Sequence, residues 1–260
     1  MPRSRLAVCL EDLRAEVRPA LDLARSLQYE AVDVRATHGP ISPAELSQTG
    51  RRHLLRHLSD LGLRLSSLRG PTGPGGYADP ADAERRLETL FKVIDLAAGL
   101  RAPVVSTVLG GVSPARQSAL REALALIADR ADRAGVNVAL ETSGVSAAEL
   151  GRVLAELNCP WVGSCCDTAA MIIRGEDPHA VGDTLAGRIR LVRLRDAVPG
   201  APEHPGHEVR LGDGRLDPPR LLSALAEAGF EGDMVVSRTT GERPLDDLRH
   251  ARKLLATYSL

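Results

Sequence analysis

Aromatic residues are scarce in this chain of 260 residues, with one Trp, three Tyr and two Phe making up 2% of it. So few rings leave little to stack on the faces of a large carbohydrate. Lysine is nearly absent, since only Lys92 and Lys253 stand among the 33 basic residues, and the arginine that replaces it reads as compositional bias beside abundant alanine. An excess of either charge is missing too. The 33 basic and 34 acidic residues give a formal net charge of -1, which removes the broad positive field that draws a protein to nucleic acid or anionic lipid. Nothing approaches the ~20 consecutive apolar residues of a bilayer-spanning helix. The N-terminal apolar run ends at Glu11, too early for the core of a secretory signal. Cys9, Cys159, Cys165 and Cys166 form no CxxC pair and are too few to staple the chain, so free thiols in a reducing cytoplasm are expected.

The remaining composition, 43% hydrophobic and 26% charged, excludes disordered, collagen-like and membrane chains. Short apolar runs alternate with stretches of helical periodicity, the pattern of parallel strands covered by crossover helices. Eight runs stand out: Arg5–Leu10, Ala31–Ala36, Arg64–Arg69, Pro103–Leu109, Asn137–Thr142, Val162–Asp167, Arg190–Asp196 and Asp233–Arg238. Helices are expected over Ala83–Ala98 and Pro114–Ala134, the second closed by Gly135. Ser42-Pro43, Asp79-Pro80, Ser113-Pro114, Asp177-Pro178 and Asp217-Pro218 each place a capping side chain before a proline suited to the first helical position. No linker divides the sequence. The expectation is one closed (β/α)8 TIM barrel over residues 1–260.

In such a barrel the chemistry sits at the C-terminal ends of the strands and in the loops that follow. Two long polar loops qualify, Gly70–Asp79 and Ala197–Asp217. The second carries His204 and His207, a spacing of three that lacks a further ligand nearby; His207 is expected to contact substrate. Charges inside apolar strands are more informative. Alternation turns Glu141 inward at the end of NVALE, Asp167 at the end of VGSCCD, and Arg193 along LVRLRD beside the terminal Asp196. A charge buried there must be paired, hydrogen-bonded or metal-bound. Cys165 shares the inward face but has no histidine placed to activate it, so it is expected to pack.

Five segments carry a family resemblance: KVIDLAAGLRAPVV, NVALETS, VGSCCDTAAMIIRGEDP, RIRLVRLRD and LGDGRLDPPRLLSALAEAGFEGDMVV. They resemble the xylose isomerase-like TIM barrels, the sugar isomerase and epimerase group that includes the endonuclease IV barrels. The resemblance implies a divalent metal held by Glu on strand five, Asp on strand six, His on strand seven and Glu on strand eight. The two glutamates would also move a proton beside a carbonyl. Glu141 and Asp167 match the first two positions. Arg193 stands at the strand-seven histidine, Ser237 at the strand-eight glutamate, and Ala170 where a histidine usually follows the aspartate by three residues.

Two carboxylates and a serine hydroxyl are a poor first shell for Mn, Mg, Co or Zn, and a guanidinium beside them repels a cation. No cofactor is therefore expected, with metal binding at Glu141 and Asp167 as the weaker alternative. Arg193 is expected to supply the positive charge itself, reaching both carboxylates with its fork of donors. The sequence thus points to a diverged isomerase or epimerase acting on a polyol, keto-sugar or related acid. Glu141 and Arg193 would be catalytic, and Asp196, Arg69, Ser237 and His207 would contact substrate. A catalytically silent barrel that binds a small molecule or partner protein is the rival reading. A nuclease role is disfavoured because the histidine-rich multi-zinc constellation and a basic surface are both missing. Homo-oligomerisation is left open.

Overall fold

A computed structural model of the chain describes residues 5–72, 75–79, 81–201 and 203–258. Strands β1 (Arg5–Cys9), β2 (Ala31–Arg35), β3 (Arg64–Arg69), β4 (Val104–Val108), β5 (Asn137–Glu141), β6 (Val162–Asp167) and β7 (Ile189–Leu194) run parallel. After β7 the chain makes a small antiparallel hairpin, β8 (Asp196–Val198) and β9 (His207–Val209), before β10 (Asp233–Val236) returns to the barrel. The ring closes in the order β1-β10-β7-β6-β5-β4-β3-β2. All eight apolar runs become barrel strands: β3 and β6 keep the expected bounds, and five others lose one or two residues from their ends. The seventh shifts to Ile189–Leu194, because Asp196 leaves the ring to start the hairpin.

Nine helices follow: α1 (Val17–Ser26), α2 (Gln48–Asp60), α3 (Ala83–Leu100), α4 (Gln117–Ala134), α5 (Ala147–Leu157), α6 (Thr168–Ile173), α7 (Val181–Leu185), α8 (Pro218–Glu227) and α9 (Pro244–Ala256), counted among the described residues. Gly135 ends α4 with φ 62°, a left-handed position that costs glycine little. Asp217 caps α8, accepting from the Arg220 amide, with Pro218 at its first position. Ser113-Pro114 and Asp177-Pro178 open short 3-10 turns that lead into α4 and α7. The Ser42-Pro43 expectation is corrected. Ser42 heads a turn in which its carbonyl accepts from Glu45 and Leu46, and α2 begins only at Gln48, capped by Ser47. Asp79 likewise closes a turn onto Asp82 and Ala83, whereas its partner Pro80 lies outside the described residues.

Side-chain alternation splits the apolar residues into two cores. Ala7, Cys9, Ala31, Val104, Ala139, Cys165, Leu191 and Val235 fill the barrel interior with small to medium groups. A larger shell, including Leu90, Ile94, Ile127 and Leu150, packs helices onto the outer faces of the strands. Each such fully buried side chain contributes ~1.5–3 kcal/mol. At the N-terminal end Arg64 of β3 reaches across to Asp233 of β10, with Nη1 to Oδ2 at 2.6 Å. Among the described residues no helix is long and apolar enough to cross a membrane.

Candidate active site

Glu141, Asp167, Arg193 and Arg69 line one cavity of about 490 Å³ at the C-terminal mouth. Arg195, Thr72, Ser143, Thr239 and the backbone of Gly110 and Gly111 complete much of its wall. A larger depression of about 1100 Å³ lies at the opposite end of the strands, and a groove of about 430 Å³ with mixed polar and apolar lining runs between α4 and α5. Barrel chemistry belongs to the mouth, where strand ends deliver side chains from several directions.

The centre of the mouth is Arg193, placed inward by the pleat of β7 and 3% exposed. Its Nη1 donates to Asp33 Oδ2 at 3.1 Å, and its Nη2 reaches Ser106 Oγ at 3.4 Å and Glu141 Oε1 at 3.5 Å. The expected bond to Asp167 is not made. Asp167 and Arg193 are register neighbours on adjacent strands, so the long guanidinium passes its neighbour and crosses the barrel. Asp167 is held instead by Arg195 in a bidentate pair, Nε to Oδ1 at 3.2 Å and Nη2 to Oδ2 at 2.7 Å. Asp167 Oδ1 also caps α6, accepting from the Ala170 amide at 3.1 Å.

Asp33 is the residue that sequence reasoning missed. It sits mid-strand in AVDVR, where the chain slips register against β3 between Val32 and Asp33, and it is fully buried. Ser67 Oγ donates to it at 2.6 Å, and Arg69 Nε stands 3.3 Å away. Burial alone would raise its pKa, but Arg193 and Arg69, with the Ser67 hydrogen bond, outweigh burial and hold the carboxyl below the usual carboxylate range. The same attractions run in reverse: burial disfavours a charged Arg193, yet Asp33 and Glu141 raise its pKa well above the ordinary arginine value. Arg193 is a permanent cation.

Glu141 is engaged more lightly. Ser106 Oγ donates to Oε1 at 3.0 Å and Ser143 Oγ to Oε2 at 3.3 Å, while Arg193 stands at the outer limit of a hydrogen bond. Arg69 donates through Nη2 to Glu11 at 2.6 Å and to Cys9 Sγ at 2.8 Å. Cys165 is buried in the interior layer, and burial, reinforced by Glu141, pushes its thiol well above the usual range.

Three further residues named from the sequence lie outside the cavity lining. Asp196 is 1% exposed and its carboxylate accepts four backbone amides: Ala197 at 2.8 Å, and Gly212, Gly214 and Leu216 at 2.9 Å each. It clamps the loop after β9. Ser237 donates to Asp12 at 2.6 Å. His207 is exposed at the start of β9, and its neighbour Glu208 is the inward residue of that strand, accepting from Arg195 Nη1 at 3.2 Å and the Thr239 amide at 3.1 Å. In the loop Gly70–Asp79, residues 73 and 74 lie outside the described residues. Tyr77 is buried there, its hydroxyl 2.6 Å from Thr107 Oγ1, and it pins the loop to β4.

The donor set does not fit a divalent metal. Only Glu141 and Asp167 offer carboxylates to the cavity, one beside a guanidinium and the other bidentate to a second, and among the described residues no group of three His, Cys, Asp or Glu is placed to hold an ion. A hard cation taking six or more oxygen ligands would have to displace both arginines.

The model of a family described as the xylose isomerase-like TIM barrel matches residues 21–258. Among solved structures, a xylose isomerase domain protein from Planctomyces limnophilus superimposes with a TM-score of 0.82 at 22% identity, covering 98% of this chain and 95% of its own. A probable 3-DHS dehydratase from Bacillus anthracis gives 0.79 at 15% identity, over 97% and 98% of the two chains. The D-psicose 3-epimerase from Clostridium cellulolyticum H10 gives 0.76 at 16%, over 98% and 99%. No sequence match was found among curated proteins.

Proposed function

Since this chain belongs to the xylose isomerase-like TIM-barrel family, we propose that it is an isomerase- or epimerase-type enzyme working on a small polar substrate without a metal. Glu141 is the single acid/base, and Arg193 stands where the resemblance places a metal ligand. The observation that carries this reading is the contrast between the two cavity carboxylates. Asp167 is locked by Arg195, whereas Glu141 faces the cavity with only two hydroxyls and a 3.5 Å guanidinium contact. That leaves it able to take up a proton.

In the proposed reaction Glu141 takes a proton from the carbon beside the substrate carbonyl. The C–H pair moves into a C=C bond as the carbonyl oxygen gains negative charge, and a guanidinium N–H of Arg193 stabilises that oxygen. The proton of the neighbouring hydroxyl passes to the enolate oxygen, and the Glu141 carboxylic acid returns its own proton to the former carbonyl carbon, so that the carbonyl reforms one carbon along. One base on one face of the substrate returns it to that face, so a shift between adjacent carbons suits this site better than epimerisation, which needs a second group on the opposite face. Ser237, at the position where the resemblance places that second group, is bonded to Asp12.

The test is solvent exchange. Ketoses and keto acids incubated with the protein in D2O and excess EDTA should gain deuterium beside the carbonyl, and Glu141→Gln should abolish this at least ~100-fold. Absence of exchange in every substrate, with ligands still bound, favours the second reading. That reading is a silent binding barrel, supported by the same bonds that occupy Asp167 and Ser237. A small-molecule ligand is common to both.

A further inference from the structure

The segment that leads from the hairpin to α8, residues 210–217, is fastened by two side chains of different chemistry. Asp196 takes the amides of Gly212, Gly214 and Leu216. The amide of Asp217 instead donates to His179 Nε2 at 3.0 Å. His179 stands in the 3-10 turn Pro178–Ala180 of the preceding crossover, and its side chain is 6% exposed. Its other ring nitrogen, Nδ1, is 2.5 Å from Asp177 Oδ1. One imidazole thus joins the crossover between β6 and β7 to the start of α8.

These partners dictate where the ring carries its proton. A backbone amide can only donate and an ionised carboxylate can only accept, so Nε2 is bare, Nδ1 is protonated and His179 is neutral. Asp177 is the anion this requires. Burial would raise its pKa, but hydrogen bonds from the His179 amide and ring outweigh burial and hold the carboxyl below the usual carboxylate range. Of the helices packed against this turn, α6 carries no charge, and Arg174 after it is paired with Glu176 at 2.7 Å; α7 carries Asp183. On α8, Arg220 lies 3.1 Å from Asp177 Oδ2, and Glu227 is at the far end. The bond to Asp217 counts because Asp217 caps α8: its Oδ1 accepts from the Arg220 amide at 3.1 Å and its carbonyl from Leu221 at 3.0 Å. Pro218 and Pro219 supply no amides between them.

We propose that His179 is a pH-sensitive latch, which holds the amide of Asp217 when neutral and releases it, while staying on Asp177, when protonated. A proton on Nε2 would set two N–H donors against each other with no acceptor between them. The same proton turns the Nδ1 contact with Asp177 into an ion pair, so the ring keeps its own turn and lets α8 go. The Arg220–Asp177 pair remains, but its side chains are 63% and 45% exposed, and a pair so open to water adds little. The Asp196 ties contain no imidazole and persist. The segment therefore loosens at its α8 end alone. At its other end β9 delivers Glu208 to Arg195 on the cavity wall at 3.2 Å, so the latch bears on how firmly that hairpin is mounted. It works whatever the cavity binds.

Nuclear magnetic resonance of the full chain tests this between pH 8 and pH 5, the span in which histidines change charge. At pH 8 the ¹⁵N spectrum of the His179 ring should show the proton on Nδ1 and none on Nε2. As the pH falls, hydrogen-exchange protection of the Asp217 amide, corrected for the intrinsic rate, should drop at least ~10-fold. The drop should share the midpoint of the His179 ring resonances, while Gly212, Gly214 and Leu216 keep their protection. His179→Gln, which has no group that titrates, should abolish the pH dependence at Asp217. If that variant does not fold, the wild-type measurements decide alone. A proton on Nε2 at pH 8 overturns the proposal, as does protection at Asp217 that does not follow the ring. A drop shared by Gly212, Gly214 and Leu216, or one that survives His179→Gln, overturns it too.

Discussion

Arg193 of β7 and Asp33 of β2 meet at 3.1 Å across the barrel, although two strands, β10 and β1, separate theirs in the ring. The contact ties opposite walls of the mouth together and fixes the height of the guanidinium against Glu141. Together with Arg69 and Ser67 it forms a buried network in which each arginine meets two carboxylates, Arg193 those of Asp33 and Glu141 and Arg69 those of Asp33 and Glu11.

Arg193→Met should therefore cost ~3–5 kcal/mol in urea unfolding, because it leaves Asp33 and Glu141 buried with one cation fewer. A cost near zero would mean that the side chain does not bridge these acids.

Asp33 makes stability depend on acid. Its pKa is lower in the folded than in the unfolded chain, so its contribution is fully present above the ordinary aspartate value of ~3.9 and is lost as pH falls through the depressed folded value. Asp33→Asn should be less stable than wild type at pH 7, and the gap should narrow between pH 4 and pH 2. Denaturation midpoints that fall in parallel for both proteins would contradict this.

Much of the barrel was legible because buried parallel strands are short runs with few polar residues, most of them rich in Val, Leu and Ile, although β3 (RLSSLR) and β6 (VGSCCD) hold few of these. The inward placement of Glu141, Asp167 and Arg193 followed from the period of two. Partner choice was not legible, since it depends on distances across the ring rather than on spacing along the chain. Asp33 carries the same signal as Glu141, a charge inside an apolar strand, but it sits mid-strand, away from the strand ends where chemistry is sought. Asp196 has the same signature as Asp167 at the end of a run, yet it faces amides contributed by residues 212 to 216. In the hairpin, alternation exposes His207 and buries Glu208.

Asp196 is accordingly a loop anchor. Asp196→Ala orphans four backbone N–H groups and should cost ~2–4 kcal/mol, with faster hydrogen exchange at Gly212, Gly214 and Leu216. Unchanged protection at those three amides would argue against the clamp.

Thiol reactivity should be confined to one residue. Cys9, Cys165 and Cys166 are buried, and burial pushes their thiols up, to about 12 for Cys166 and well above the usual range for the other two; Cys159 is half-buried. Native protein at pH 8 should titrate one thiol quickly with a disulfide reagent and the rest only on unfolding. Rapid labelling of Cys165 would point to an interior more open than this one.

Our proposal that Arg193 takes the place of a metal is tested most directly by elemental analysis of protein purified without chelator and then equilibrated with Mn²⁺, Co²⁺ or Zn²⁺. Substoichiometric metal is predicted in wild type, with uptake improved in Arg193→His/Ser237→Glu. One equivalent retained by wild type and lost when Glu141 and Asp167 are neutralised would contradict the account.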